Sequence, residues 1–143
     1  MGARRTGRER ALQALYQLEM TPSSSALDAL ESAWTASEEK ESAKRDPDAV
    51  RFARELVEGV QSHRAEIDRL IEAHSHNWRL DRMSRIDRNV LRVGIFELKY
   101  RPDIPRKVTI NEAVELGKNF GTEESSAFVN GLLDRVAVAL NKA

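Results

Sequence analysis

Cysteine is absent from the 143-residue sequence, which excludes disulfides, thiolate metal sites and a cysteine nucleophile and fits a reducing compartment. No apolar run approaches the roughly 18 residues of a membrane span. The arginine-rich start leads into an amphipathic stretch, not a signal-peptide core, so a soluble, unprocessed, cytoplasmic protein is expected. Strand-like alternation with β-branched enrichment is missing throughout. So are a glycine-rich phosphate loop, a nucleophile elbow and a carboxylate pair in a pocket-forming motif. His63, His74 and His76 are the only imidazoles, and the last two differ by about 200° around a helix, so they cannot share a metal. Neither metal, nor cofactor, nor enzymatic activity is expected.

Net charge is also missing: 23 basic and 23 acidic side chains cancel. The cancellation hides segregation. Residues 1–18 carry a net +3, 19–77 a net −6, 78–107 a net +5 and 108–143 a net −2. Two basic segments in a neutral chain suit local contact with a polyanion and little long-range attraction over the rest of the surface.

What is present is helical periodicity from end to end, so the fold class is all-α, about seven helices in a single domain of two small packed bundles, near 1–77 and 78–143. The first helix starts at about residue 3 or 8 and runs to Met20, where Pro22 and the serines stop it and one serine caps the next helix. The second spans about 25–38, with Leu27, Leu30 and Trp34 inward. Residues 38–46, charged and without an apolar anchor, are expected to form a mobile loop. Asp46-Pro47 has the form of an N-cap and first helical residue. Phe52, Ala53, Leu56, Val57 and Val60 make the next buried stripe, followed after a break near Ser62-His63 by Ile67, Leu70, Ile71 and His74.

Residues 77–84 form a joint, and the helix after it, apolar over most of its circumference, is the central one. Gly94 permits a close helix crossing there. Residues 100–108, with two prolines, form a loop. Thr109-Ile110-Asn111-Glu112 then matches a capping box, Gly121 supplies a left-handed stop, and Thr122 caps a last helix whose stripe runs from Phe128 to Leu140.

Arg4, Arg5, Arg8 and Arg10 precede the first core stripe. At about 100° per residue, Arg4 and Arg8 point the same way as Ala11, Leu15 and Leu18. This end is therefore expected to stand off the core as an exposed cationic arm.

The arginine-rich start with ALQALYQLEM, the segment RNVLRVGIFEL at 88–98 and KVTINEAVELGKNFGTEESSAFVNGLLDRVA at 107–137 together resemble the NusB family of bacterial transcription antitermination factors. The resemblance spans nearly the whole chain in the family's order. Ribosomal RNA methyltransferases share such a module at their front, and the lack of sequence after residue 143 leads to the expectation of a stand-alone factor. The resemblance implies binding of a single-stranded boxA-type RNA together with the ribosomal protein NusE, within an RNA polymerase antitermination complex that reads through ribosomal RNA operons. It maps RNA contacts to Arg4, Arg5, Arg8, Gln13, Tyr16, Lys118, Asn119, Glu124 and Phe128, and the protein partner to Asp87 and Arg88. Thr6 and Gly7 depart from the family's densest arginine pattern, and Gly7 weakens the helix by about 0.8–1 kcal/mol relative to alanine.

Unpaired RNA is held by neutralising phosphates and stacking bases. Arg4, Arg5, Arg8 and Lys118 as four phosphate contacts imply an affinity loss of about fiftyfold for a fourfold rise in salt, at roughly −0.7 per phosphate. The competing expectation is a helical scaffold or homodimer without RNA specificity.

Overall fold

The computed structural model describes residues 2–41, 44–76 and 78–143. Their regular structure is seven α-helices with no strand: α1 Ala3–Met20, α2 Ala26–Glu41, α3 Pro47–Ser62, α4 Arg64–His74, α5 Arg85–Tyr100, α6 Arg106–Phe120 and α7 Ser125–Ala139, with one 3-10 turn at Leu80–Arg82. The chain divides into two compact units, Met1–Gly59 and Val60–Ala143. The division falls earlier than residue 77 because α4 packs against α5 and α7.

In the first unit α1 packs on α2. Ser25 caps α2, its Oγ accepting the Asp28 N–H at 3.0 Å. The inward stripe of α2 is Ala29, Leu30, Ala33 and Trp34, while Leu27 is 55% exposed; small alanines let the helix close on its neighbour, and the leucine is displaced outward. The mobile loop expected at 38–46 is also corrected. Helix α2 continues through Glu41, and the Arg45 guanidinium donates to Glu31 at 2.6 Å and to Glu38 at 2.8 Å. That hydrogen bond holds the Glu38 carboxyl below its ordinary pKa. Ser42 and Ala43 lie outside the described residues. Asp46 caps α3 as its sequence suggests, accepting the Asp48 N–H at 2.9 Å, and the stripe from Phe52 to Val60 is buried.

The second unit is built around α5, buried continuously from Asn89 to Leu98 and packed by α4, α6 and α7. Ser84 caps it, accepting the Asp87 N–H at 3.0 Å. Gly94 is the close crossing: a Cβ there would sit 2.8 Å from Cδ1 of the fully buried Leu133. Arg92, 3% exposed, reaches Asp68 on α4 through two bonds, Nε to Oδ1 at 2.8 Å and Nη2 to Oδ2 at 3.1 Å. At the far end of α5, Tyr100 donates to Glu66 at 2.6 Å and stacks on His63, ring centroids 4.1 Å apart. Lys99 first, and then the Tyr100 hydroxyl, hold the Glu66 carboxyl below its ordinary pKa, and the same Glu66 hydrogen bond raises that of Tyr100.

Three terminus readings change. Helix α6 starts before the Thr109 box: Pro105 is its N-cap, and the Pro105 carbonyl accepts the N–H groups of Val108 and Thr109 at 3.0 and 3.2 Å. Thr109 is instead a buried interior residue, donating to the buried Glu97 of α5 at 2.9 Å. Gly121 ends α6 at φ −104°, outside the left-handed region; glycine is required there because a Cβ would collide with the Ser125 hydroxyl and the Gly117 carbonyl. The Thr122–Ser125 cap runs in reverse, the Ser125 Oγ accepting the Thr122 N–H at 3.0 Å.

Candidate nucleic-acid interface

Helix α1 is continuous from Ala3, so its first turns are ordered. They do not overhang the core. Gly7 is the reason: a Cβ there would lie 3.0 Å from the Ala49 carbonyl oxygen, 3.0 Å from Phe52 Cδ2 and 3.3 Å from the Ala53 nitrogen. A bare backbone at residue 7 lets α1 lie directly on α3, and the glycine that departs from the arginine-dense pattern is a packing device. Two cations then share one aromatic ring, with Arg4 Cζ 5.6 Å and Arg8 Cζ 5.3 Å from the centroid of Phe52. Such a contact is worth about 0.5–1 kcal/mol at the exposed Arg4 and about 2 kcal/mol at the buried Arg8.

The expectation that all four arginines stand clear is therefore corrected. Arg8 is 3% and Arg10 5% exposed, the second lying 5.5 Å from the Trp34 ring and donating to Gln13 Oε1 at 3.0 Å. The long arginine stems bury against aromatic rings, which makes the inward wheel positions tolerable. Arg4 remains exposed and Arg5 half-buried, while Gln13 is exposed and Tyr16 is 38% exposed. Gln13, Tyr16 and Met20 fall on one side of α1 by helical spacing.

In the second unit the junction of α6 and α7 brings together the other candidates. Lys118, Asn119 and Glu124 are exposed and Phe128 is half-buried. Lys118 borders a shallow cavity with Gly121, Thr122, Glu123 and Ser126. Thr122 leads from there into a second, apolar groove of about 380 Å³ that Glu124 and Phe128 line together with Trp78, Met83 and Asp87. The groove thus joins two residues assigned to RNA and one assigned to the protein partner. Arg88 stands beside it, its guanidinium donating to the Met83 carbonyl at 2.8 Å.

The sequence reading missed Trp78, 57% exposed at the lip of that groove. An unburied indole in a basic stretch without an apolar partner at helical spacing is the signal that could have found it. Part of the basic stretch is spent internally: Arg79 pairs with Asp81, Arg92 with Asp68, Lys99 with Glu66 and Arg101 with Asp103. Among the described residues no group of three or more His, Asp or Glu is placed to hold a metal ion, and no helix is long and apolar enough to cross a membrane.

The model of the NusB family matches residues 5–138. The chain is 87% identical over 142 residues to the transcription antitermination protein NusB of Myxococcus xanthus (strain DK1622), covering 99% of each chain. It is 53% identical to that of Anaeromyxobacter dehalogenans (strain 2CP-1), covering 100% of this chain and 96% of the relative. Among solved structures, T. maritima NusB superposes with a TM-score of 0.83 at 38% identity, over 96% of this chain and 92% of that one. The NusB of a crystal structure of antitermination factors NusB and NusE in complex with dsRNA gives a TM-score of 0.83 at 28% identity, over 97% and 98%.

Proposed function

The chain belongs to the NusB family of transcription antitermination proteins, and from that premise we propose that it binds a single-stranded boxA-type RNA together with the ribosomal protein NusE. It acts by binding, without catalysis, in the cytoplasm, as part of an RNA polymerase complex that reads through ribosomal RNA operons. The observation that carries this reading is the junction of α6 and α7, where the exposed Lys118 and Asn119 end one helix, the half-buried Phe128 opens the next, and Lys118 and Phe128 border two cavities that share Thr122. That set supplies one phosphate contact, one base-edge contact and one stacking face. Arg4 and Arg5 add phosphate contacts, Tyr16 a second ring and Gln13 an amide. Arg8 acts as a positioning residue through Phe52. The start of α5, at Asp87 and Arg88, takes the protein partner.

With Arg8 buried, three phosphate contacts remain, at Arg4, Arg5 and Lys118. The expected salt slope is about −2, so affinity falls about twentyfold, not fiftyfold, for a fourfold rise in salt. Titration of boxA-type and scrambled RNA at several salt concentrations, with and without NusE, measures this directly. The Arg4→Ala/Arg5→Ala variant should flatten the slope to about −0.7. Equal affinity for both RNAs in the presence of NusE would refute the reading.

Glu124 flanks the start of α7, where a carboxylate favours the helix dipole but repels an approaching phosphate. Glu124→Gln is expected to tighten RNA binding several-fold at low salt. Weaker binding with an unchanged circular dichroism spectrum would remove Glu124 from the RNA surface.

A further inference from the structure

The internal ion pairs leave the end of the basic segment at 78–107 unused. Arg106 and Lys107, its last two cations, have no ion-pair partner among the described residues, and neither has Lys118 at the other end of α6. Both line a cavity of about 300 Å³ with Ile110, Asn111 and Asp134. The main-chain N–H of Arg106 is already taken by the Ala143 oxygen at 2.8 Å, so what the cavity offers an anion is side-chain charge.

Helical spacing ties this cavity to the junction of α6 and α7. At about 100° per residue, Lys107, Asn111 and Lys118 fall within about 40° of one another on α6, and all three are exposed. They make a strip about 16 Å long, at roughly 1.5 Å per residue, that leads from the Arg106 and Lys107 cavity to the shallow one beside Lys118. Ile110 turns to the α7 side, where Asp134 stands, and Glu115 falls about 60° to the other side of the strip. A narrow cationic line bordered by carboxylates suits a single row of phosphates better than a broad acidic protein surface.

We propose that the outer face of α6 is a track for the phosphate backbone of nucleotides flanking the boxA-type element, held without regard to base. This track rests on the RNA-binding reading above and lengthens that site. The strand leaves the junction at Lys118, accepts a hydrogen bond from the Asn111 amide, and ends on Arg106 and Lys107. With about 3.4 Å between stacked phosphates, roughly five nucleotides bridge the distance. No aromatic residue falls on the strip, so bases there are neither stacked nor selected.

The test compares a boxA-type RNA with the same RNA extended on its 5′ or its 3′ side by about six unstructured nucleotides, slightly more than the strip needs. Both are titrated with and without NusE. One of the two extensions should tighten binding at low salt and steepen the salt slope by about 1.4, or two phosphates at roughly 0.7 each, so that its advantage shrinks about sevenfold for a fourfold rise in salt. Scrambling the extension should change nothing. Arg106→Ala/Lys107→Ala should erase the advantage and leave the unextended RNA at wild-type affinity. Because Lys107 is exposed, Lys107→Ala alone should keep the wild-type melting curve and remove about 0.7 of the slope. Asp134→Asn, which takes a carboxylate from the cavity wall, should enlarge the advantage. Identical slopes for wild type on unextended and extended RNA overturn the track and leave the function intact. So does an equal loss of both RNAs in Lys107→Ala. A loss that appears on the unextended RNA only when NusE is added also overturns it, and makes the strip a protein-docking surface. Failure of the wild type to bind boxA-type RNA under any condition overturns the RNA reading as well.

Discussion

Asp68→Ala is expected to destabilise the protein by about 3–5 kcal/mol, because it strands the Arg92 guanidinium without its carboxylate. Arg92 is 3% exposed on a side-chain basis and Asp68 18%, so water cannot rehydrate the cation cheaply. The Asn89 side chain, which accepts from Arg92 Nη1 at 3.0 Å, offers a dipole in place of a charge. Urea unfolding followed by helical circular dichroism measures the loss. The double variant Asp68→Leu/Arg92→Met should recover much of it, since a buried pair is often replaceable by apolar groups of similar volume. A loss below about 1 kcal/mol would place this pair with ordinary surface ion pairs.

Phe52→Ala is the second large effect, also about 3–5 kcal/mol, from lost transfer free energy and the cavity left behind. The ring is 6% exposed and closes the contact with Gly7 as well as carrying Arg4 and Arg8. Phe52→Leu separates these roles. It keeps most of the bulk, so its stability cost should be under about 2 kcal/mol, yet it removes the π face that orients both guanidiniums. RNA affinity in Phe52→Leu is expected to fall several-fold, with the salt slope unchanged because Arg4 and Arg5 remain. Wild-type affinity in this variant would show that the ring acts on packing alone.

Local chemistry made much of the fold legible. Asp46-Pro47 names the start of α3 because a carboxylate acceptor and a fixed φ are needed at those two positions and are supplied by those two residues. Ser25 and Gly94 were readable in the same way. Thr109 was not: its four-residue pattern fits a capping box, but Pro105 begins the helix earlier, and the partner that buries the threonine, Glu97, lies on another helix. The arginines failed for a related reason. Wheel position turns Arg8 inward while its charge argues for solvent, and only the juxtaposition with Phe52, far along the chain, makes its burial tolerable. The candidate site divides likewise. Lys118, Asn119 and Glu124 are exposed as a binding role requires, whereas the pocket at Trp78 depends on α5 and α7 converging on one groove.

The Gly94–Leu133 crossing governs more than packing density. It sets the spacing between α5 and α7, and those helices carry Asp87 and Phe128, which both line the groove. Position 94 is consequently a caliper for that opening, remote from any ligand. A methyl group added there would spread the jaws without touching RNA, and trimming Leu133 would let them close again. Genetic suppressors of a binding defect at residue 94 therefore belong at residue 133, within the hydrophobic interior, where a search confined to the RNA surface would overlook them.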